Sequence, residues 1–163
     1  MEIASGILGV LKKCCSLFNE ERLNYCLVGG LAVGIVSKPR ATEDIDFLMA
    51  IKAGDSDRIA GLFRSHFDVV QIQNVMRIGD ASIQRVLVRE QSTPERALVI
   101  IDLVLADQDY MEKALENRMK ITVEGVEIPV VSPSDLIEMK KRSGRPQDLL
   151  DIESILSENY DTG

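Results

Sequence analysis

Residues 43–50, Glu-Asp-Ile-Asp-Phe-Leu-Met-Ala, read as a short apolar strand that carries two carboxylates one residue apart. Side chains alternate along a strand, so Asp44 and Asp46 share one face, while Ile45 and Phe47 point to the other, into a core. Any fold that houses this segment must bury one face of the strand and leave the other to the two acids. Carboxylates at that spacing lie roughly 6 to 7 Å apart at Cα, close enough for their oxygens to converge on one point. Like charges held that close raise each other's pKa unless a cation sits between them. A divalent metal is the obvious cation, and magnesium is commonly held by one or two carboxylates together with substrate phosphates. The alternative is a pair of surface residues on a half-exposed strand, although Asp is disfavoured in strands.

The neighbouring segments favour a site. Residues 25–28 (YCLV) form a short buried strand that ends in Gly29-Gly30, and residues 31–37 begin a helix directly afterwards. Glycines let a backbone approach a ligand closely, and a helix start offers free N–H groups to an anion. A phosphate cradle and metal ligands on consecutive elements are what a nucleoside triphosphate with Mg²⁺ requires. The later run ALVIIDLVLAD contributes Asp102, an acid that is costly if it is buried unpaired. A strand lying beside Asp44 and Asp46 would bring Asp102 to the same metal site; otherwise it is an edge or strand-end aspartate.

Other elements follow from apolar periodicity and turn residues. Helices are expected over 3–20, after the acidic cluster Asp55-Ser56-Asp57, over 108–118, 133–142 and 146–158. Strands are expected over 68–78, 82–89 and 97–105, with Gly79-Asp80 as a turn, and a hairpin over 120–132 turning at Glu124-Gly125. Ser132 before Pro133 is a good cap for a helix start. The order implies a mixed-sheet α/β (α+β) domain over 1–163, with a core about 23–131 and two closing helices about 133–158.

The chain has 163 residues, a net charge of −7, no Trp and only 4% aromatics, so its core must be built from aliphatic side chains. A diffuse acidic surface repels phosphate backbones and gives no support to general nucleic-acid binding. The basic clusters are Lys38/Arg40 and Lys140/Lys141/Arg142/Arg145. Cys14, Cys15 and Cys26 are odd in number and two are adjacent, which suits buried thiols in a cytoplasmic protein better than disulfides. No apolar run is long enough for a membrane span, and the N-terminal segment lacks the pattern of a signal peptide. His66 reads as a helix-end histidine, not a general base.

Gly29-Gly30, 13 further residues, Asp44-Ile45-Asp46 and a later Asp102 together resemble the nucleotidyltransferase superfamily of the DNA polymerase beta type. The wording VGGLAVGIVSKPRATEDIDFLM looks like the small bacterial group that includes abortive-infection toxin-like and some antibiotic nucleotidyltransferases. The segment SPSDLIEMKKRSGRPQDLLDIESI, with Lys140, Arg145 and Asp148, fits the same group. The resemblance spans about residues 23–158. It implies transfer of a nucleoside monophosphate from an NTP donor to an acceptor hydroxyl, with pyrophosphate released. Asp44 and Asp46 would hold two Mg²⁺ ions, and Asp102 would share the catalytic one and help deprotonate the acceptor. Gly29 and Gly30 would cradle the triphosphate, although many superfamily members carry Gly-Ser there.

Arg40, Thr42 and Lys140 would contact the nucleotide on the same resemblance. The alternatives are a solvated loop arginine for Arg40 and an exposed helix lysine for Lys140; Arg145 and Asp148 could equally form a structural pair. The acceptor is a small molecule, a protein side chain or an RNA end. The competing reading is a catalytically silent nucleotide- or partner-binding relative, such as a toxin–antitoxin component.

Overall fold

A computed structural model describes residues 3–39 and 42–160 of the chain. In chain order the elements are α1 (Ser5–Glu20), β1 (Tyr25–Val28), α2 (Gly29–Val36), β2 (Asp44–Met49), α3 (Ser56–His66), β3 (Val69–Ile72), β4 (Met76–Ile78), β5 (Ala81–Arg89), β6 (Leu98–Leu105), α4 (Asp109–Glu116), β7 (Met119–Val123), β8 (Val126–Val130), α5 (Pro133–Ser143) and α6 (Pro146–Tyr160). The described strands form one mixed sheet in the order β3-β5-β6-β2-β1-β8-β7, with β4 also paired to β5. β2 and β6 run parallel, as do β1 and β8, and the remaining pairs are antiparallel. This is the mixed α/β architecture expected from the order of elements.

The alternation in β2 resolves as its residue types require. Ile45 and Phe47 are fully buried, while Asp44 and Asp46 keep partial access to solvent on the other face. Phe47 belongs to an aromatic knot with Phe18 of α1, Tyr25 of β1 and Phe63 of α3. Ring centroids are 5.0 Å apart for Phe18–Phe47 and 5.7 Å for Tyr25–Phe47, both edge to face. Four of the seven aromatics of this sequence are thus gathered in one layer beneath the acidic strand. Cys14, Cys15 and Cys26 are free and buried in the same core.

On the opposite side α2 packs on β1 and β2, and the hairpin of α5 and α6 packs on α2. α5 starts as its sequence dictates: Ser132 accepts a hydrogen bond from the Asp135 amide, Pro133 fills the first turn, and Gly144 ends the helix at φ 66°. α6 turns Asp148, Asp151 and Ile155 inward and leaves Leu149 and Leu150 each 61% exposed.

Two expectations are corrected. The apolar stretch 68–78 is not one strand. Ile72 pairs with Val86 and Met76 with Ile83, so three residues face two across the ladder and the strand breaks into β3 and β4. The helix after β1 begins at Gly29, so both glycines lie within its first turn.

Removing the ring that β2 contributes to the knot tests this arrangement. Phe47→Ala is expected to cost about 3–5 kcal/mol in urea unfolding, because the ring is fully buried and packs edge to face on Phe18 and Tyr25.

Candidate active site

The register of three neighbouring strands sets out a row of residues across the sheet. Val28 of β1 lies opposite Asp46 of β2, Asp46 opposite Asp102 of β6, and Asp102 opposite Arg85 of β5. Asp44, two residues from Asp46, shares its face. The three carboxylates singled out from the sequence therefore come from adjacent strands and the same side of the sheet. Asp102 sits in the run LVIIDLVL, whose other members build the core, and its side chain is only 8% exposed.

Gly29 follows Val28 directly and has φ +71°. A Cβ at this position would fall 2.7 Å from Asp46 Cγ. Glycine is needed here on two counts: the left-handed backbone, and the carboxylate lying against the helix start. Gly30 is buried in the same turn.

The electrostatics follow from the crowding. Burial, then the charges of Asp102 and Asp44, push Asp46 up to about 7, against a weaker opposing pull from Lys140 and Arg145. Burial and Asp102 likewise raise Asp44, opposed by Arg85. No described residue donates a hydrogen bond to the carboxylate of either. Asp102 differs. Arg85 Nε donates to its Oδ1 at 2.8 Å and Arg85 Nη2 to its Oδ2 at 2.9 Å, a two-pronged ion pair. Among the described residues no three acidic, His or Cys side chains enclose a common point.

Lys140 is not the exposed helix lysine that was the alternative expectation. It is buried, with Nζ 3.1 Å from Asp148 Oδ1 and 3.0 Å from Asp151 Oδ2. Two carboxylates that leave water with α6 need a cation, and Lys140 supplies it. Arg145 and Asp148 do form a structural pair: the Arg145 amide and its Nε both donate to Asp148 Oδ2, at 3.1 and 3.0 Å. Burial pushes Asp148 up, but the hydrogen bonds from Arg145, Ser143 and Lys140 outweigh it and hold the carboxyl well below the usual range. This cationic group lies near enough to Asp46 to act on it.

Thr42 turns its hydroxyl back to the Asp44 carbonyl at 3.4 Å. Arg40 lies outside the described residues. His66 is exposed at the end of α3 with Nδ1 2.9 Å from the Leu62 carbonyl, remote in role from any acid partner.

Sequence reasoning missed Arg85 and Asp151. The alternation in SIQRVLVR does put Arg85 on the face opposite the buried Gln84 and Val86. Which acid it meets depends on the register of β5 on β6, which no local pattern encodes.

A family profile described as "Nucleotidyltransferase of unknown function (DUF6036)" matches residues 8–162. No curated protein sequence matches the chain. Among solved structures, a candidate nucleotidyltransferase from Thermotoga maritima is 16% identical, with 97% of each chain covered and a TM-score of 0.66. The lincosamide antibiotic adenylyltransferase LnuA, solved with lincomycin bound, is 16% identical over 96% of this chain and 99% of its own, with a TM-score of 0.59. An antigenic nucleotidyltransferase-like protein from Paracoccidioides brasiliensis is 20% identical over 91% of this chain and 72% of its own, with a TM-score of 0.59. At these identities the likeness is one of fold.

Two outcomes are expected of the geometry. Asp46 ordinarily titrates at 3.8 and is raised to about 7 in the folded state. Its contribution to stability is complete below the lower value and is lost as pH rises through the upper one. Asp46→Asn cannot ionise, so without metal it should gain on the wild type across that window by up to ~1.4 kcal/mol per pH unit, then gain no more. Urea unfolding in chelator from about pH 4 to about pH 8.5 measures this. Gly29→Ala should cost roughly 1–3 kcal/mol from its backbone conformation alone, with a further loss from displacing Asp46, read by thermal unfolding.

Proposed function

The chain belongs to the family of nucleotidyltransferases of unknown function DUF6036, and on that premise we propose that it moves a nucleoside monophosphate from an NTP to a hydroxyl acceptor at the Asp44/Asp46/Asp102 face. The observation that carries this reading is the pairing of Asp46 with Asp102 across parallel strands, with Asp44 on the same face and the start of α2 against Asp46.

The donor set is oxygen only, which suits Mg²⁺. Asp44 and Asp46 fit a divalent ion because both are raised by burial and by the charge of Asp102, and neither is already satisfied by a described donor. Bound there, two such ions would neutralise the triphosphate and make the acceptor hydroxyl easier to deprotonate. Asp44 and Asp46 would hold the metal, and through it the triphosphate, at this face. Asp102 is the carboxylate toward which the acceptor proton is drawn. Gly29 and Gly30 let the triphosphate approach the amides that open α2. Arg40 and Thr42, in the segment leading into β2, contact the nucleotide. Lys140 acts as a fixed positive charge behind Asp46, since its ammonium is already shared by Asp148 and Asp151.

The acceptor in this reading is a small hydroxylated molecule. LnuA has almost the same chain length and was solved with a small antibiotic bound, so a chain of this size has room for such an acceptor. Buried free thiols suit a reducing compartment, and no described helix is long and apolar enough to cross a membrane. A silent nucleotide-binding role, as in a toxin–antitoxin pair, is the second reading. It draws on the commitment of Asp102 to Arg85.

Calorimetry with ATP, GTP, CTP and UTP, with and without Mg²⁺, tests the donor site. Metal-dependent binding of at least one nucleotide is expected, and Asp44→Asn/Asp46→Asn should abolish it. Asp102→Asn should keep nucleotide binding while losing pyrophosphate release by ~100-fold or more. Absence of nucleotide binding in the wild type would overturn the reading. Binding without turnover on any acceptor would favour the silent relative.

A further inference from the structure

Asp102 has both of its oxygens taken by one guanidinium. The Arg85 contacts are 2.8 and 2.9 Å, and the acid is 8% exposed while the arginine is 32% exposed. Both residues are held in place by their strands, since they are register partners on β5 and β6. Among the described residues, the other carboxylates of the face, Asp44 and Asp46, carry no such partner. The cations of the closing helices that act on Asp46 are engaged elsewhere, Lys140 with Asp148 and Asp151 and Arg145 with Asp148. So the third acid is neutralised from within, by a side chain on the side away from α2.

A two-pronged arginine pair is among the stronger surface-accessible ion pairs, and a guanidinium cannot lose its proton at any working pH. A divalent ion that drew on Asp102 would have to share the carboxylate with that fixed charge, or see Arg85 move. The partly exposed guanidinium moves at least cost when other anionic oxygens replace the ones it leaves. The phosphates of an incoming nucleotide are such oxygens.

We propose that Arg85 is a positioning residue that keeps Asp102 turned toward β5 in the nucleotide-free protein and gives it up to the metal only when a nucleotide's phosphates take over the guanidinium. This rests on the nucleotidyl-transfer reading and adds an order to it: the full metal set forms with nucleotide, not before it. Arg85 thereby couples metal affinity to nucleotide occupancy.

The test is Mn²⁺ binding followed by electron paramagnetic resonance on the full chain without nucleotide, with circular dichroism melts to establish folding. Arg85→Gln should bind Mn²⁺ roughly tenfold more tightly than the wild type, and Arg85→Gln/Asp102→Asn should lose that gain. Arg85→Lys keeps the charge but not the two-pronged grip, and it should fall between the two. Calorimetry with non-hydrolysable NTP analogues should then show Mn²⁺ strengthening nucleotide binding more in the wild type than in Arg85→Gln.

Unchanged or weaker Mn²⁺ binding in Arg85→Gln overturns the proposal. So does an Arg85→Lys variant that matches the wild type, because charge alone would then account for the effect. If no variant binds Mn²⁺ or any nucleotide, the nucleotidyl-transfer reading itself has failed and the proposal falls with it. If nucleotides bind without Mn²⁺ in every variant, the metal site fails while the nucleotide site stands.

Discussion

The parallel pairing of β2 with β6 is the constraint on which the site and the core both depend. It sets Asp46 opposite Asp102 and Phe47 opposite Leu103 in the same stretch of ladder. Because the side-chain period along a strand is two, a slip of one residue would turn the acids of one strand into the core and its apolar residues outward. The register is therefore protected by far more than the acids themselves: Ile45, Phe47, Ile101 and Leu103 are all fully buried on the other face. The apolar layer holds charges together that would separate if left to themselves.

Positive charge reaches this face from two directions and in two forms. Arg85 arrives from β5 within the sheet and touches an acid directly. Lys140 and Arg145 arrive from the closing helices and act on Asp46 through space. The second group is locked by its own carboxylates and serves as a fixed background. The first is partly exposed, and its contacts can be exchanged for others. A face with three acids is in this way only partly compensated, which leaves it attractive to a cation without leaving it unfoldable.

The features readable in the sequence are those carried by local rules. Alternation in EDIDFLMA, the glycine pair after YCLV, the Glu124-Gly125 turn and the Ser132-Pro133 helix start each constrain a few adjacent residues, and the structure has the corresponding elements. The break between β3 and β4 was hidden because a bulge changes pairing while leaving composition untouched. The proximity of Asp102 to Asp46 could be suspected from an acid in an apolar run, but its engagement with Arg85 could not. That contact depends on how two strands slide against each other. Lys140 misled for a related reason: its local sequence is that of a surface helix turn, and its burial is imposed by acids that come from α6.

The attachment of α6 has a thermodynamic consequence of its own. The inward side chains include Asp148 and Asp151 alongside Ile155, while Leu149 and Leu150 already face solvent. Lifting this helix away would separate charges, and of its own described apolar side chains only Ile152 and Ile155 would leave the core. An opening of that kind has a small heat-capacity change and a shallow dependence on denaturant, unlike unfolding of the sheet. Amide exchange along α6 should accordingly proceed through fluctuations that urea hardly accelerates, whereas exchange in β2 and β6 awaits the cooperative loss of the whole core.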